Sequence, residues 1–291
     1  MSSSNEILRF DEVWVRFEEK PAIRDISLVL RPGETLVIYG AAASGKSVLL
    51  KTSIGLLHAS AGRVHLFGHD ITDWKDEQLY TLRQSVGVLF QEGGLFDSLT
   101  VAENVAYPLQ NHAGPETDEG EIRERVQNAL DFVELGMSGD QFPAELSGGM
   151  RRRVGIARAM VAEPALMLYD SPTAGLDPIT AYRIMTLIVR QRDQSSATSV
   201  VLTHRHQDGG ILANYRYDSV SGQLRAAEED LPNTRFIVLR EGSLVFEGSQ
   251  MELRGSLDPY ISRFAGKHTS EEFLPCSPRT DLAGDFLQFR S

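Results

Sequence analysis

The sequence predicts an α/β fold, and three observations carry that expectation. A short apolar run, Thr35-Leu36-Val37-Ile38-Tyr39, leads into a loop of small residues and then into apolar residues at helical spacing, Leu50, Ile54 and Leu57. Two further runs, Ala165-Leu166-Met167-Leu168-Tyr169 and Ser199-Val200-Val201-Leu202-Thr203, read as buried strands separated by a helix from about Pro178 to Arg192. Nearer the start, Ile26-Ser27-Leu28-Val29-Leu30 alternates as a half-buried antiparallel strand does.

The loop after the first run decides the chemistry. Gly40-Ala41-Ala42-Ala43-Ser44-Gly45-Lys46-Ser47 fits G-x-x-x-x-G-K-[ST], the P-loop pattern, in the strand-loop-helix setting it requires. A phosphate chain has to lie against bare backbone N–H groups, so bulky side chains are excluded there. The following helix adds the partial positive charge of its N-terminus. Lys46 is expected to reach the β- and γ-phosphates, and the Ser47 hydroxyl to ligate Mg²⁺. The motif predicts a nucleoside triphosphatase without saying which.

Composition narrows the class. The chain has 291 residues, 42% hydrophobic and 24% charged, enough for one large α/β domain or two small ones. A net charge of −11 argues against non-specific nucleic-acid binding through a basic surface. Cys276 is the single cysteine, so no internal disulfide can form, which fits a reducing compartment. No run of about 18 apolar residues occurs, so no membrane-spanning helix is expected. The first residues lack a basic segment followed by an apolar one, and no signal peptide is read.

In chain order, residues 7–10, 13–17 and 26–30 read as strands, with Phe17 open between a core aromatic and a surface for an adenine ring. Residues 63–67 and 86–90 read as strands around a polar helical stretch. The second ends at Gln91, either a metal or water ligand or simply the point where the strand leaves the core. Residues 99–162 read as helical, with Ile122, Val126, Leu130 and Val133 on one face and a loop at 114–118. Leu146-Ser147-Gly148-Gly149-Met150 opens a helix carrying Arg151-Arg152-Arg153; Ser-Gly-Gly there is either an N-cap with a tight turn or a second anion site. Asp170 closes its strand with a carboxylate, where a P-loop fold places its second Mg²⁺ ligand. His204 closes the next strand. Residues 236–239 and 244–246 read as a hairpin.

Taken together these residues resemble the ATP-binding subunits of ABC transporters, over roughly residues 6–255. Four elements fall in that family's order: the P-loop, the Gln91 strand end, the signature Leu146-Ser147-Gly148-Gly149-Met150, and the strand to Asp170 followed by Pro172-Thr173-Ala174-Gly175-Leu176-Asp177. His204 matches the family's switch histidine. The resemblance implies a P-loop NTPase (RecA-like) core with an antiparallel β subdomain and an inserted α-helical subdomain at about 92–162. It leaves an inserted polar lobe at about 207–234 and a C-terminal extension at 256–291. It implies ATP and Mg²⁺ as cofactors and an adenine-stacking role for Phe17. Gln91 becomes a Mg²⁺ and water sensor. Ser147, Gly148 and Gly149 become the γ-phosphate clamp supplied by a second copy, with Asp177 at the same interface, so that ATP is sandwiched in a homodimer.

A narrower similarity, to the Mla/Mce-type lipid transporters, rests on residues 88–101 leading into Glu103-Asn104-Val105-Ala106-Tyr107-Pro108-Leu109, on Met150 and on Leu168-Tyr169-Asp170. It implies work at the cytoplasmic face of a bacterial inner membrane, with a membrane permease, an Mce-domain protein, sometimes a small STAS-domain partner, and no nucleic acid. The alternatives are an ATPase of a non-lipid importer and a slow ATP-operated switch. The switch follows from a departure: the family's catalytic glutamate after Asp170 is Ser171 here, leaving His204 as the nearest substitute base. Residues 258–264 resemble the lipid-transport ATPases' extension, which packs on the neighbouring subunit.

Overall fold

The computed structural model describes residues 6–112, 118–195, 197–227 and 233–266. Residues 114–117, the acidic run 228–230, Cys276 and the tail from 267 lie outside them. The small sheet comes first: β1 (Leu8–Phe17), β2 (Lys20–Leu30), β4 (Ala61–Leu66) and β5 (His69–Asp70), in the order β2-β1-β4-β5, all antiparallel. The two strands expected at 7–10 and 13–17 are one strand. Phe10 pairs with Leu28 and Val13 with Ile26, and between them Glu12 takes a left-handed φ of 49°. That bulge shifts the alternation by one residue, so Leu8, Phe10, Val13 and Val15 all point into the core.

The large sheet holds β3 (Thr35–Gly40), β6 (Val86–Leu89), β7 (Leu166–Asp170), β8 (Thr198–Thr203), β11 (Thr234–Arg240) and β12 (Ser243–Gly248), in the order β12-β11-β3-β8-β7-β6. Its pairings are parallel except that of β12 with β11. Strand alternation divides its side chains between two cores. Leu36, Ile38, Leu166, Leu168, Val200 and Leu202 join the small sheet and α1 (Lys46–Ser53) on one face. Val37, Tyr39, Met167, Tyr169 and Val201 face the helices on the other.

Those helices are α3 (Val101–His112), α4 (Glu119–Phe132), α5 (Gly148–Met160) and α6 (Pro178–Ser195), while α2 (Asp76–Arg83) follows β5. On α4, Val126 and Leu130 are buried, with Val133 just past its end and Ile122 partly buried against the same core. Helix α1 is shorter than its apolar spacing suggested. The hydroxyls of Thr52 and Ser53 donate back to Val48 O (2.8 Å) and Leu50 O (2.7 Å), and Leu57 falls past the helix end.

Residues 207–234 begin with α7 (His206–Asn214), which is largely buried, followed by the hairpin β9 (Tyr215–Asp218) and β10 (Gln223–Ala226). Tyr215 and Leu224 join the helix-side core, so this part of the segment packs rather than standing free. After α8 (Gln250–Gly255), capped by Ser249, residues 258–264 fold back onto their own chain. Ile261 and Phe264 are buried, and the Phe264 ring stacks on Tyr39 at 5.4 Å. Within one chain, this stretch is held by those two side chains.

Candidate functional site: a phosphate cradle at the head of the parallel sheet

The carboxyl ends of β3, β6, β7 and β8 carry the four polar elements singled out in the sequence, the edge at which open α/β sheets bind ligands. Gly40 ends β3. A Cβ there would fall 2.3 Å from Ser44 Oγ and 2.7 Å from Leu239 O, so only glycine lets the loop turn this tightly. Gly45 takes a φ of 101° and begins α1; a Cβ would meet Ala22 O at 2.7 Å. Ala41, Ala42 and Ala43 are exposed and put no polar side chain in the loop.

Lys46 folds over this loop. Its Nζ donates to Gly40 O and Ala41 O, both at 2.8 Å, and to Ser44 Oγ at 3.3 Å. Burial pushes its ammonium below the usual lysine range, and the negative charge of Asp170 opposes the shift. Asp170 ends β7 at the same edge of the sheet as the loop after β3, one strand removed across β8, although the two lie far apart in sequence. Asp170 is buried and accepts from Ser171 Oγ at 3.1 Å. Ser171 has a left-handed φ of 52°, and its N–H donates to Leu202 O at 3.0 Å, which ties it to the end of β8.

A second set gathers elsewhere. Gln91 is exposed and opens a groove of about 540 Å³ shared with Gly148, Arg151, Ala174, Gly175 and Leu176. Ser147 caps α5, its Oγ accepting from Met150 N–H at 3.2 Å. Ser147 and Gly148 are exposed, whereas Gly149 lies against Thr180, where a Cβ would come within 2.6 Å. Asp177 accepts from Ile179 and Thr180 N–H at the start of α6, and its bonds with Thr180 hold its carboxyl below the usual range. Within one chain, then, the serine-glycine helix start lines a groove with Gln91 and not the alanine loop.

His204 is exposed just beyond β8. Beneath it lies a residue that periodicity did not single out. Asp208 is 1% exposed and accepts from the hydroxyls of Thr173 and Thr203, both at 2.6 Å. Burial raises its pKa, against the lowering effect of the two hydroxyls. Asp208 thereby joins the loop after β7 to the end of β8. A carboxylate among the Gly, Ile, Leu and Ala residues of α7 was the available signal. Phe17 is 49% exposed where β1 turns into β2, which removes the core-aromatic alternative.

A third feature flanks β6. Phe90, Phe96, Tyr107, Pro108 and Arg158 line a groove of about 430 Å³. The Phe96 and Tyr107 rings meet at 4.6 Å, and the Arg158 guanidinium lies 5.6 Å from the Phe96 centroid. Buried Asn104 holds this loop: its amide donates to Phe96 O, Leu99 O and Thr100 O, each at 3.0 Å.

The family model described as ABC transporter matches residues 23–174, over half of the chain. The chain belongs to the ABC transporter family. Relatives of this ABC domain include the probable ribonucleotide transport ATP-binding protein mkl of Mycobacterium tuberculosis, 42% identical over 180 residues, 62% of this chain and 50% of the relative. The methionine import ATP-binding protein MetN 1 of Acinetobacter baylyi is 39% identical over 186 residues, 64% of this chain and 51% of the relative. The chain spans about half the length of the curated relatives it matches. The ATP-binding cassette MJ0796, in a dimeric post-hydrolysis state bound to ADP and Pi, superposes with a TM-score of 0.70 at 28% identity, covering 83% of this chain and 98% of the other. A cassette from the cbiONQ transporter of Clostridium perfringens gives 0.69 at 26%, covering 87% and 96%. The fold is that of an ABC-type ATPase domain. No helix among the described residues is long and apolar enough to cross a membrane.

The donors at the head of the sheet suit a divalent cation bound together with phosphate. No cluster of three His, Cys, Asp or Glu side chains among the described residues could hold a metal alone. The candidate oxygens of Ser47, Asp170 and Gln91 are hard donors of the kind Mg²⁺ takes alongside phosphate oxygens.

Proposed function

We propose that the chain is the ATP-binding and ATP-hydrolysing subunit that energises a membrane transporter of the Mla/Mce lipid type. The observation that carries the nucleotide reading is the loop's own geometry: Gly40 leaves no room for a Cβ, and Lys46 Nζ folds over the loop to Gly40 O and Ala41 O, both at 2.8 Å. Lys46, with the backbone of 40–45, would hold the phosphates. Ser47, Asp170 and Gln91 would hold Mg²⁺, whose bound charge neutralises the β- and γ-phosphate oxygens. Phe17, exposed beside β2, would take the adenine ring.

Ser147, Gly148 and Gly149 stand apart from their own chain's cradle, which supports a site completed by a second copy, with Asp177 at the same interface. ATP would then drive closure, because each half-site is incomplete. The groove around Phe96 and Tyr107 would receive the permease: it joins two exposed aromatic rings to the half-buried Arg158, with Phe90 at the end of β6 in its wall. An Mce-domain protein and a STAS-domain protein would complete the assembly at the cytoplasmic face of the inner membrane.

The lipid assignment is supported by residues 88–109 and Met150. A non-lipid importer is supported by the relatives' names, which refer to ribonucleotide and methionine. Cysteine placed at Phe96 and at Met137, which is fully exposed and does not line the groove, tests the docking face. Crosslinks to the permease from position 96 and not 137 are expected; the reverse would refute it. Phospholipid recovered with the purified complex, against its absence, separates the two cargo readings.

A further inference from the structure

We propose that Tyr260, in the segment after α8, is a positioning residue for nucleotide binding, its hydroxyl fixing the start of the phosphate loop. The inference rests on the nucleotide reading above. Ala41 N–H donates to Tyr260 Oη at 3.1 Å, and Tyr260 Oη donates to Leu239 O at 2.9 Å. One hydroxyl thus ties the first residue after Gly40 to the end of β11, the strand beside β3. Among the described residues, no other side chain accepts a hydrogen bond from a backbone N–H of residues 40–47.

The tyrosine is itself held on every side. Asp258 Oδ1 accepts from Tyr260 N–H at 2.7 Å and from Ile261 N–H at 3.3 Å, which fixes the turn that presents the ring. The ring meets Phe264 edge-on at 5.5 Å, and the Arg240 guanidinium lies 5.3 Å from its centroid. Phe264 in turn stacks on Tyr39, the residue before Gly40. The far end of the segment touches the other side of the site: a Cβ on Gly266 would fall 2.8 Å from His206, two residues past His204. The segment therefore contacts the phosphate loop, the strand feeding it and the start of α7.

The physical consequence concerns preorganisation. A loop whose N–H groups are already aimed binds phosphate without first losing its own freedom. Ala41 is exposed, so its N–H can turn to water when the hydroxyl is removed. Loss of the tether should therefore weaken binding by roughly two- to fivefold, the lower part of what one hydrogen bond contributes. The packing of the ring does not depend on the hydroxyl, so the fold should be unaffected.

The test is Tyr260→Phe in the full chain, with Lys46→Ala as a second variant. Affinity for ATP with Mg²⁺ and for ADP is measured, and hydrogen exchange is followed in peptides covering residues 40–46. The expected result is a two- to fivefold rise in Kd for both nucleotides, faster exchange in those peptides, and an unchanged melting temperature. In the transporter complex, KM for ATP should rise by a larger factor than kcat falls. Unchanged affinity and exchange in Tyr260→Phe, with binding lost in Lys46→Ala, overturn this inference alone. Nucleotide binding that survives Lys46→Ala overturns the nucleotide reading beneath it. A drop in kcat at unchanged KM, or a loss of affinity matched by a lowered melting temperature, overturns it as well, since each points away from the loop tether.

Discussion

Replacing Ser171 by glutamate is expected to raise ATP turnover by roughly tenfold or more, if proton abstraction limits the rate. The argument starts from the backbone. Position 171 sits at φ 52°, a region that disfavours side chains, yet Glu12, Glu18, Glu134, Glu163 and Glu241 occupy the same region at φ 49° to 60°. Exchanging one non-glycine residue for another there adds little strain. The hydroxyl bond from Ser171 to Asp170, 3.1 Å long, is lost, at about 0.5–1.5 kcal/mol. In a domain of this size that lowers the melting temperature by a few degrees, so the variant folds. The gain lies in the chemistry: a positioned base contributes about 10²–10⁴ in rate, and a serine hydroxyl, which keeps its own proton at neutral pH, cannot take one from water as a carboxylate can. One order of magnitude allows for a carboxylate that is imperfectly placed beside Asp170. The assay is phosphate release with saturating MgATP on the transporter complex, natural protein against variant, with His204→Ala alongside. His204→Ala should remove most of the residual activity. Unchanged turnover in Ser171→Glu together with a silent His204→Ala would refute this account of the base. Natural turnover already near roughly ten per second, an ordinary enzyme value, would refute the idea that the missing carboxylate slows hydrolysis.

Two further outcomes follow from the same site. Phe17→Ala should weaken ATP binding several-fold at unchanged melting temperature, because the ring is 49% exposed and packs little, and competition with a nucleotide lacking the base should show no such loss. Asp208→Asn tests the buried carboxylate: its folded pKa is raised by burial, so its stabilisation is complete below the ordinary carboxylate value of 3.8 and is lost as pH rises through the raised value. The melting temperature of Asp208→Asn relative to the natural protein should accordingly climb as pH rises above 4, and a difference that is flat with pH would contradict the shift.

The sequence alone determined the phosphate loop, the order of the strands' chemistry and the family. Gly40 and Gly45 are legible through the loop motif, Lys46 and Ser47 through phosphate and metal chemistry, and all four lie within eight residues. Runs such as Leu166–Tyr169 declare burial on both faces through unbroken apolarity. The tertiary structure decided what depends on distant contacts. The bulge at Glu12 merges two expected strands, because strand continuity is set by the partner's hydrogen bonds and not by the local pattern. Asp208 joins Thr173 to Thr203, and Tyr260 joins Ala41 to Leu239. Both links connect segments far apart in the chain through one polar atom each, and periodicity records no such pairing. The sidedness of the site belongs here too. Spacing cannot say that Ser147 and Lys46 lie in different clefts of one chain, since that depends on how α5 packs beside the loop after β7.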